Sequence, residues 1–79
     1  MNEEDILKEF GNKLQRYRKE KDWSQEKLSE VACLDRTYIS SVERGQRNIS
    51  IINICKLANA LDIPTSNLLQ NIGDYHEQY

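Results

Sequence analysis

WSQEKLSEVACLDRTYISSVERGQRN, from Trp23 to Asn48, holds two helix starts separated by a very short connection. Ser24 has the hydroxyl that accepts a hydrogen bond from the first free backbone N–H groups of a helix, and Trp23 before it is placed to pack on Leu28 in the next turn. Asp35 repeats the arrangement, with Leu34 placed to pack on Ile39. Between the two helices only Cys33, Leu34 and Asp35 remain. That is too little for anything but a sharp corner, and the spacing is that of a helix-turn-helix over about residues 24–44. Gly45 supplies the left-handed residue that ends the second helix, and Gln46, Arg47 and Asn48 follow as a polar loop.

Outward from this pair the flanks also read as helices. Asn2 to Asp5 start one whose Glu3, Glu4 and Asp5 suit its positive end, and Leu7, Phe10, Leu14 and Tyr17 carry an apolar face to about Lys21. Ser50 caps a fourth helix, in which Ile51, Ile54, Leu57, Ala58 and Leu61 form a stripe, Ile49 is placed to pack on Ile54, and Pro64 closes the connection. A fifth runs from about Thr65 to Ile72 and stops at Gly73. Its Leu68, Leu69 and Ile72 either complete the core or meet another subunit, and Tyr75 in the tail can extend such a contact. The chain reads as all-α, five helices in a single domain over residues 1–79, without internal repeats.

The chain has 79 residues, and a domain of that size buries only about 60% of the surface its unfolded chain exposes, which leaves room for help from a partner. With 38% hydrophobic residues, one Pro and three Gly, the composition is that of a helical globule. No apolar run approaches the ~20 residues of a membrane span, and no basic start followed by an apolar block marks export. A cytoplasmic protein without membrane contact is expected. The net charge of -2 conceals an uneven distribution. All eleven Lys and Arg fall between Lys8 and Lys56, a segment of net charge +4, whereas the first seven and last twenty-three residues hold six acids and neither Lys nor Arg. A basic middle between acidic ends describes a face suited to phosphate, with an evenly solvated surface as the plain alternative.

Enzyme chemistry finds no footing. His76, the sole histidine, lies in the terminal tail, so no Ser or Cys nucleophile has an imidazole base within a structured site. There is no phosphate-binding loop of the GxxxxGK type, and Cys33 and Cys55 are too few, with too little His, for a zinc site. The two cysteines are expected to be small buried hydrophobes. No catalytic residue, metal or cofactor is expected.

Gln25, Ile39, Val42 and the run LDRTYISSVERGQRNISI carry a resemblance. The pattern is similar to the helix-turn-helix family of phage repressors, Cro proteins and small bacterial regulators. Gln25 stands where that family opens its first motif helix, and Ile39 and Val42 stand where it packs the second on the core. The run from Leu34 to Ile51 is more specific and resembles the controller proteins of restriction-modification systems; the likeness covers about residues 10–72. It implies a five-helix, lambda-repressor-like DNA-binding domain that works as a symmetric homodimer on a double-stranded, two-fold operator. Its dimer contact would fall near residues 64–79, with Leu68, Leu69, Ile72 and Tyr75. The resemblance further implies an ion pair between Arg18 and Glu43 that ties the first helix to the second motif helix. It implies a transcription factor that represses its own gene at high occupancy and activates a neighbouring endonuclease gene at lower occupancy, with RNA polymerase as a further partner. Cys33 departs from the pattern, since many relatives have Gly at that turn position, and a positive φ there would strain a Cys. A phage-type or host repressor of the same fold, and a protein-binding antitoxin or adaptor module, are the alternatives.

On the DNA-binding reading the residues divide into grip and readout. Gln25, with Ser24 beside it, stands at a helix start, an anion site where backbone and side-chain N–H groups can meet a phosphate. Arg44, Arg47 and Asn48 follow the second motif helix and are placed to hold the DNA backbone on its other side. Since Ile39 and Val42 face inward, Arg36, Thr37, Ser40 and Ser41 face outward. Arg36 leads the helix into the major groove, where a forked contact to guanine O6 and N7 is the commonest specific one, and Thr37 can add a methyl or hydroxyl contact to a base edge. Tyr38 stands between packing and a phosphate contact. As a plain surface residue, Arg36 would instead pair with Asp35 or Ser40.

Overall fold

In the computed structural model, which describes residues 2–74, the chain forms five helices: α1 Glu3–Glu20, α2 Gln25–Ala32, α3 Arg36–Glu43, α4 Ile51–Leu61 and α5 Thr65–Leu69. Each of the first four begins at a polar side chain that satisfies an otherwise unpaired backbone donor. Asn2 accepts from the Asp5 N–H at 2.8 Å, Ser24 from Lys27 at 3.0 Å, Asp35 from Thr37 at 3.0 Å and Tyr38 at 3.3 Å, and Ser50 from Asn53 at 3.1 Å. Trp23, Leu34 and Ile49, which precede the caps of α2, α3 and α4, pack against a core that contains Leu28, Ile39 and Ile54.

The same four helices also end alike. After each comes a residue in the left-handed region: Asp22 at φ 60°, Cys33 at 58°, Gly45 at 73° and Asp62 at 60°. The N–H that follows reaches back to a carbonyl of the last turn, Trp23 to Arg18 at 3.2 Å, Leu34 to Ser29 at 3.1 Å, Gln46 to Ser41 at 3.0 Å and Ile63 to Ala58 at 3.0 Å. At Gly45 the need for glycine is double, because a Cβ there would also come within 2.7 Å of Lys8 Cγ. Cys33 overturns the expectation of a buried thiol: it caps α2 in the left-handed conformation, the corner it makes lies at the surface, and the residue is exposed. Cys55 is half-buried.

Phe10 and Leu14, Leu28 and Ala32, Ile39 and Val42, four residues of α4 from Ile54 to Leu61, and Leu68 form one core. α3 packs on both α1 and α2, α4 packs on α2, and α5 closes on α4 and α1. Ile51 leaves the stripe expected of it. As the first residue of α4 it precedes the turn that reaches the core, and 67% of it is exposed. α5 stops at Leu69, short of Ile72, because Gln70 swings to ψ 126° and Asn71 to φ 66°. Lys13 of α1 donates to the Gln70 carbonyl there, supplying a donor to an acceptor the helix no longer pairs.

Gly11 sets how closely α1 approaches α3. A Cβ at this position would fall 2.5 Å from the Glu43 carbonyl oxygen and 2.6 Å from that of Val42, both backbone atoms that cannot give way. Glycine inside a helix costs about 0.5–1 kcal/mol relative to alanine, and here it is the condition for α1 to cross the carboxyl end of α3. None of the described helices is long and apolar enough to cross a membrane.

Candidate nucleic-acid interface

The carboxyl end of α3 is locked. Glu43, with its side chain 1% exposed, accepts from Arg18 Nε at 2.7 Å through Oε2 and from Arg18 Nη2 at 2.9 Å through Oε1. Arg18 Nη1 donates to the Trp23 carbonyl at 2.7 Å, and Gln25 Nε2 donates to Glu43 Oε1 at 3.0 Å. The hydrogen bond to Glu43 raises the Arg18 pKa above the ordinary arginine value; burial opposes this and the attraction of the carboxylate adds to it. The guanidinium is therefore charged at any working pH, and its planar fork sets the rotation of α1 against α3. Through Gln25 the same carboxylate also reaches α2.

The amino end of α3 is open. Arg36 and Thr37 are exposed, and Arg36 pairs with no carboxylate among the described residues. Its two alternative partners are engaged elsewhere. Asp35 caps the helix through Oδ2, and the Ser40 hydroxyl accepts from Arg44 Nη1 at 2.6 Å. Ser40 and Ser41 are half-buried, so of the four residues expected to face outward only Arg36 and Thr37 do so fully. Arg18, Ser24, Gln25 and Arg36, with Glu26 as the single acid, line one open depression of about 490 Å³. The starts of α2 and α3 thus border the same depression.

Beyond α3, Arg44 Nε donates to Gln46 Oε1 at 3.2 Å, and the Arg47 guanidinium lies 5.0 Å from the centroid of the Tyr38 ring. Tyr38 is half-buried against the core, and its hydroxyl accepts from Asn53 Nδ2 of α4 at 3.0 Å. Asn48 turns its Oδ1 to the Ile49 N–H at 2.8 Å, which stiffens the loop. Lys21 and Lys27 lie 5.3 and 6.0 Å from the Trp23 ring, a pair of cations beside the start of α2 that sequence reading leaves out.

One residue expected at a subunit contact does not reach the surface. Leu68 has no exposed surface and belongs to the core, because α5 lays that face on α4 and α1. Leu69 is 39% exposed and Ile72 half-buried, while Tyr75 and His76 lie outside the described residues. Among the described residues no group of three His, Cys, Asp or Glu could hold a metal ion. The bonds from Gln25 to Glu43 and from Asn53 to Tyr38 escape sequence reading because each joins two helices whose placement no local spacing encodes. Gly11, a glycine inside an otherwise regular helix, is the one signal the sequence offers of a close approach.

Known proteins resemble this chain in sequence and fold. A helix-turn-helix family model matches residues 14–68. The chain is 49% identical over 69 residues to control protein C.MunI of a Mycoplasma species, which covers 86% of this chain and 93% of that protein. It superposes on the restriction-modification controller protein C.AhdI from Aeromonas hydrophila with a TM-score of 0.77 and 52% identity, over 78% of this chain and 94% of that one. For the restriction-modification controller protein C.Esp1396I, solved as a tetramer in complex with its natural 35 base-pair operator, the TM-score is 0.77 at 30% identity, over 85% of this chain and 88% of that one. With its capped helix pair, its left-handed corner and its five-helix, lambda-repressor-like fold, the chain belongs to the helix-turn-helix family, among the restriction-modification controller proteins, which are transcription regulators and not enzymes.

Proposed function

We propose that this chain acts in the cytoplasm as a homodimer that binds a two-fold operator, represses its own gene at high occupancy and activates a neighbouring endonuclease gene at lower occupancy through contact with RNA polymerase. The observation that carries the reading is Arg36, exposed and paired with no carboxylate among the described residues, at the open end of a helix whose other end is locked, beside the start of α2. A rigid helix presenting an exposed guanidinium suits a forked contact with guanine in the major groove. Thr37 reads beside it, with Ser40 and Ser41 in supporting roles. Ser24 and Gln25 grip phosphate on one side, and Tyr38, Arg44, Arg47 and Asn48 grip it on the other. The operator complex of C.Esp1396I supports the choice of ligand.

Pairing of subunits draws support from the apolar surface. Ile51 and Ile52 on α4 and Leu69 on α5 are exposed apolar side chains, the kind of surface a two-fold contact removes from water. Two reading helices then lie about 34 Å apart, one turn of B-DNA. Selection from a random duplex library should recover a two-fold-symmetric site with half-sites at that spacing, and sedimentation should give a dimer at micromolar concentration. A library without enrichment would remove the claim of sequence reading. Monomer alone, with and without DNA, would remove the dimer.

A further inference from the structure

Asn53 sits in the first turn of α4, outside the helix-turn-helix. Its backbone N–H serves its own helix by donating to Ser50. Its side chain does not: Nδ2 donates to the Tyr38 hydroxyl on α3 at 3.0 Å. Both residues are half-buried, and the ring they hold in place carries the Arg47 guanidinium 5.0 Å from its centroid.

The direction of this bond matters. A phenol oxygen that accepts from an amide keeps its own hydrogen for a second acceptor, and accepting polarises that O–H further. Tyr38 is thereby left as a donor, next to a cation that its ring already holds. A donor and a cation side by side match a phosphate, which accepts through several oxygens and carries negative charge.

We infer that Asn53 is a positioning residue for DNA binding: it holds the Tyr38 hydroxyl as a donor toward a backbone phosphate beside Arg47. α4, α3 and the loop between them then form one preassembled clamp, and binding does not have to order the ring. This rests on the DNA-binding reading and deepens it, since it sets a residue from outside the motif behind the Tyr38 grip on phosphate. A tie that merely fastens α3 to α4 is the rival, and it makes different predictions.

The test is a double-mutant cycle on affinity for operator and random duplex, with wild type, Asn53→Ala, Tyr38→Phe and the double variant. Each single change should weaken both duplexes by about five- to ten-fold, the worth of one such hydrogen bond. The double variant should be no weaker than either single one, because each removes the same contact. The slope of log K against log salt should stay at its wild-type value, since no cation is lost. Thermal melts accompany every variant, and Asn53→Ser, too short to reach the phenol, replaces Asn53→Ala if that protein folds poorly. Additive losses in the cycle, unchanged affinity in Tyr38→Phe, or lowered melting temperature with intact affinity in Asn53→Ala would each overturn the inference. Those three outcomes leave the DNA-binding reading standing, whereas a wild-type protein that binds neither duplex overturns that reading and this inference with it.

Discussion

Glu43, the last residue of α3, is shut away from water with both carboxylate oxygens bonded, whereas Arg36, the first, is exposed and pairs with no carboxylate among the described residues. Gly11 sharpens the contrast by letting α1 rest on the backbone at the Glu43 end alone. One short helix thus carries a charge that is wholly committed and another that is exposed and engaged by no carboxylate among the described residues. A buried ion pair contributes little net stability against apolar side chains of the same size, because desolvating both charges costs nearly what their attraction returns. What it does supply is geometry: leaving either charge alone in the core is costly, so the two helices hold one rotation. A reading residue needs the opposite, a guanidinium with its donors free and a rigid base beneath it.

The contrast can be broken most easily at its locked end. Arg18→Ala or Glu43→Ala should destabilise the fold by about 3–5 kcal/mol in denaturant titration, the cost of a buried charge without its partner. A loss well under 1 kcal/mol would mean that the pair is solvated and the lock illusory. The sign of the pH effect follows from the raised Arg18 pKa: the stabilisation is complete below the unfolded value and is lost only as pH rises through the higher folded one. The wild-type margin over Arg18→Ala should therefore gain no slope from the arginine between neutral and moderately alkaline pH.

The open end should respond in binding and not in stability. Arg36→Ala is expected to cost about 1–3 kcal/mol on the operator, much less on random duplex, and to leave unfolding within about 0.5 kcal/mol of wild type. Arg36→Lys should keep general affinity yet discriminate poorly at one base pair in each half-site, because an ammonium lacks the two-donor fork. An unchanged site preference in Arg36→Ala would end its role as reader. Smaller and even across sequences is the effect expected of Arg44→Ala or Arg47→Ala. Each should weaken operator and random duplex alike and make the salt dependence shallower by about 0.9 in log K per log salt. A shift in base preference at constant slope would move that residue from grip to readout.

The smallest effect is a gain. Cys33 is exposed and left-handed, so Cys33→Gly removes backbone strain without emptying the core and should raise stability by about 0.5–1 kcal/mol, with operator affinity unchanged. A lower melting temperature would show that the thiol packs in the turn.

These particular residues show what could be read in advance. Asn2, Ser24, Asp35 and Ser50 announce their helices because a cap and the donors it satisfies lie within one turn. The ends are less legible. Gly45 marks one plainly, but Asp22, Cys33 and Asp62 take the same left-handed conformation with side chains that do not advertise it. Apolar periodicity identifies a buried face without saying what covers it, which is why Leu68 fits both core and subunit contact and why Ile51, one turn ahead of Ile54, falls outside the buried stripe. Of the site, the exposure of Arg36 follows from the inward set of Ile39 and Val42, while the engagement of Ser40 by Arg44 depends on rotamers that spacing does not encode.

Residues within a few positions of one another carry the helix starts, the corner, the apolar faces, the basic middle and the resemblance to controller proteins. Helix packing alone sets α1 against backbone at Gly11, joins Gln25 to the Arg18 and Glu43 pair, buries Leu68 and brings Asn53 to Tyr38. The reason is separation along the chain. Arg18 and Glu43 are 25 residues apart and Tyr38 and Asn53 are 15 apart, so their meeting is set by how whole helices pack and not by any local preference.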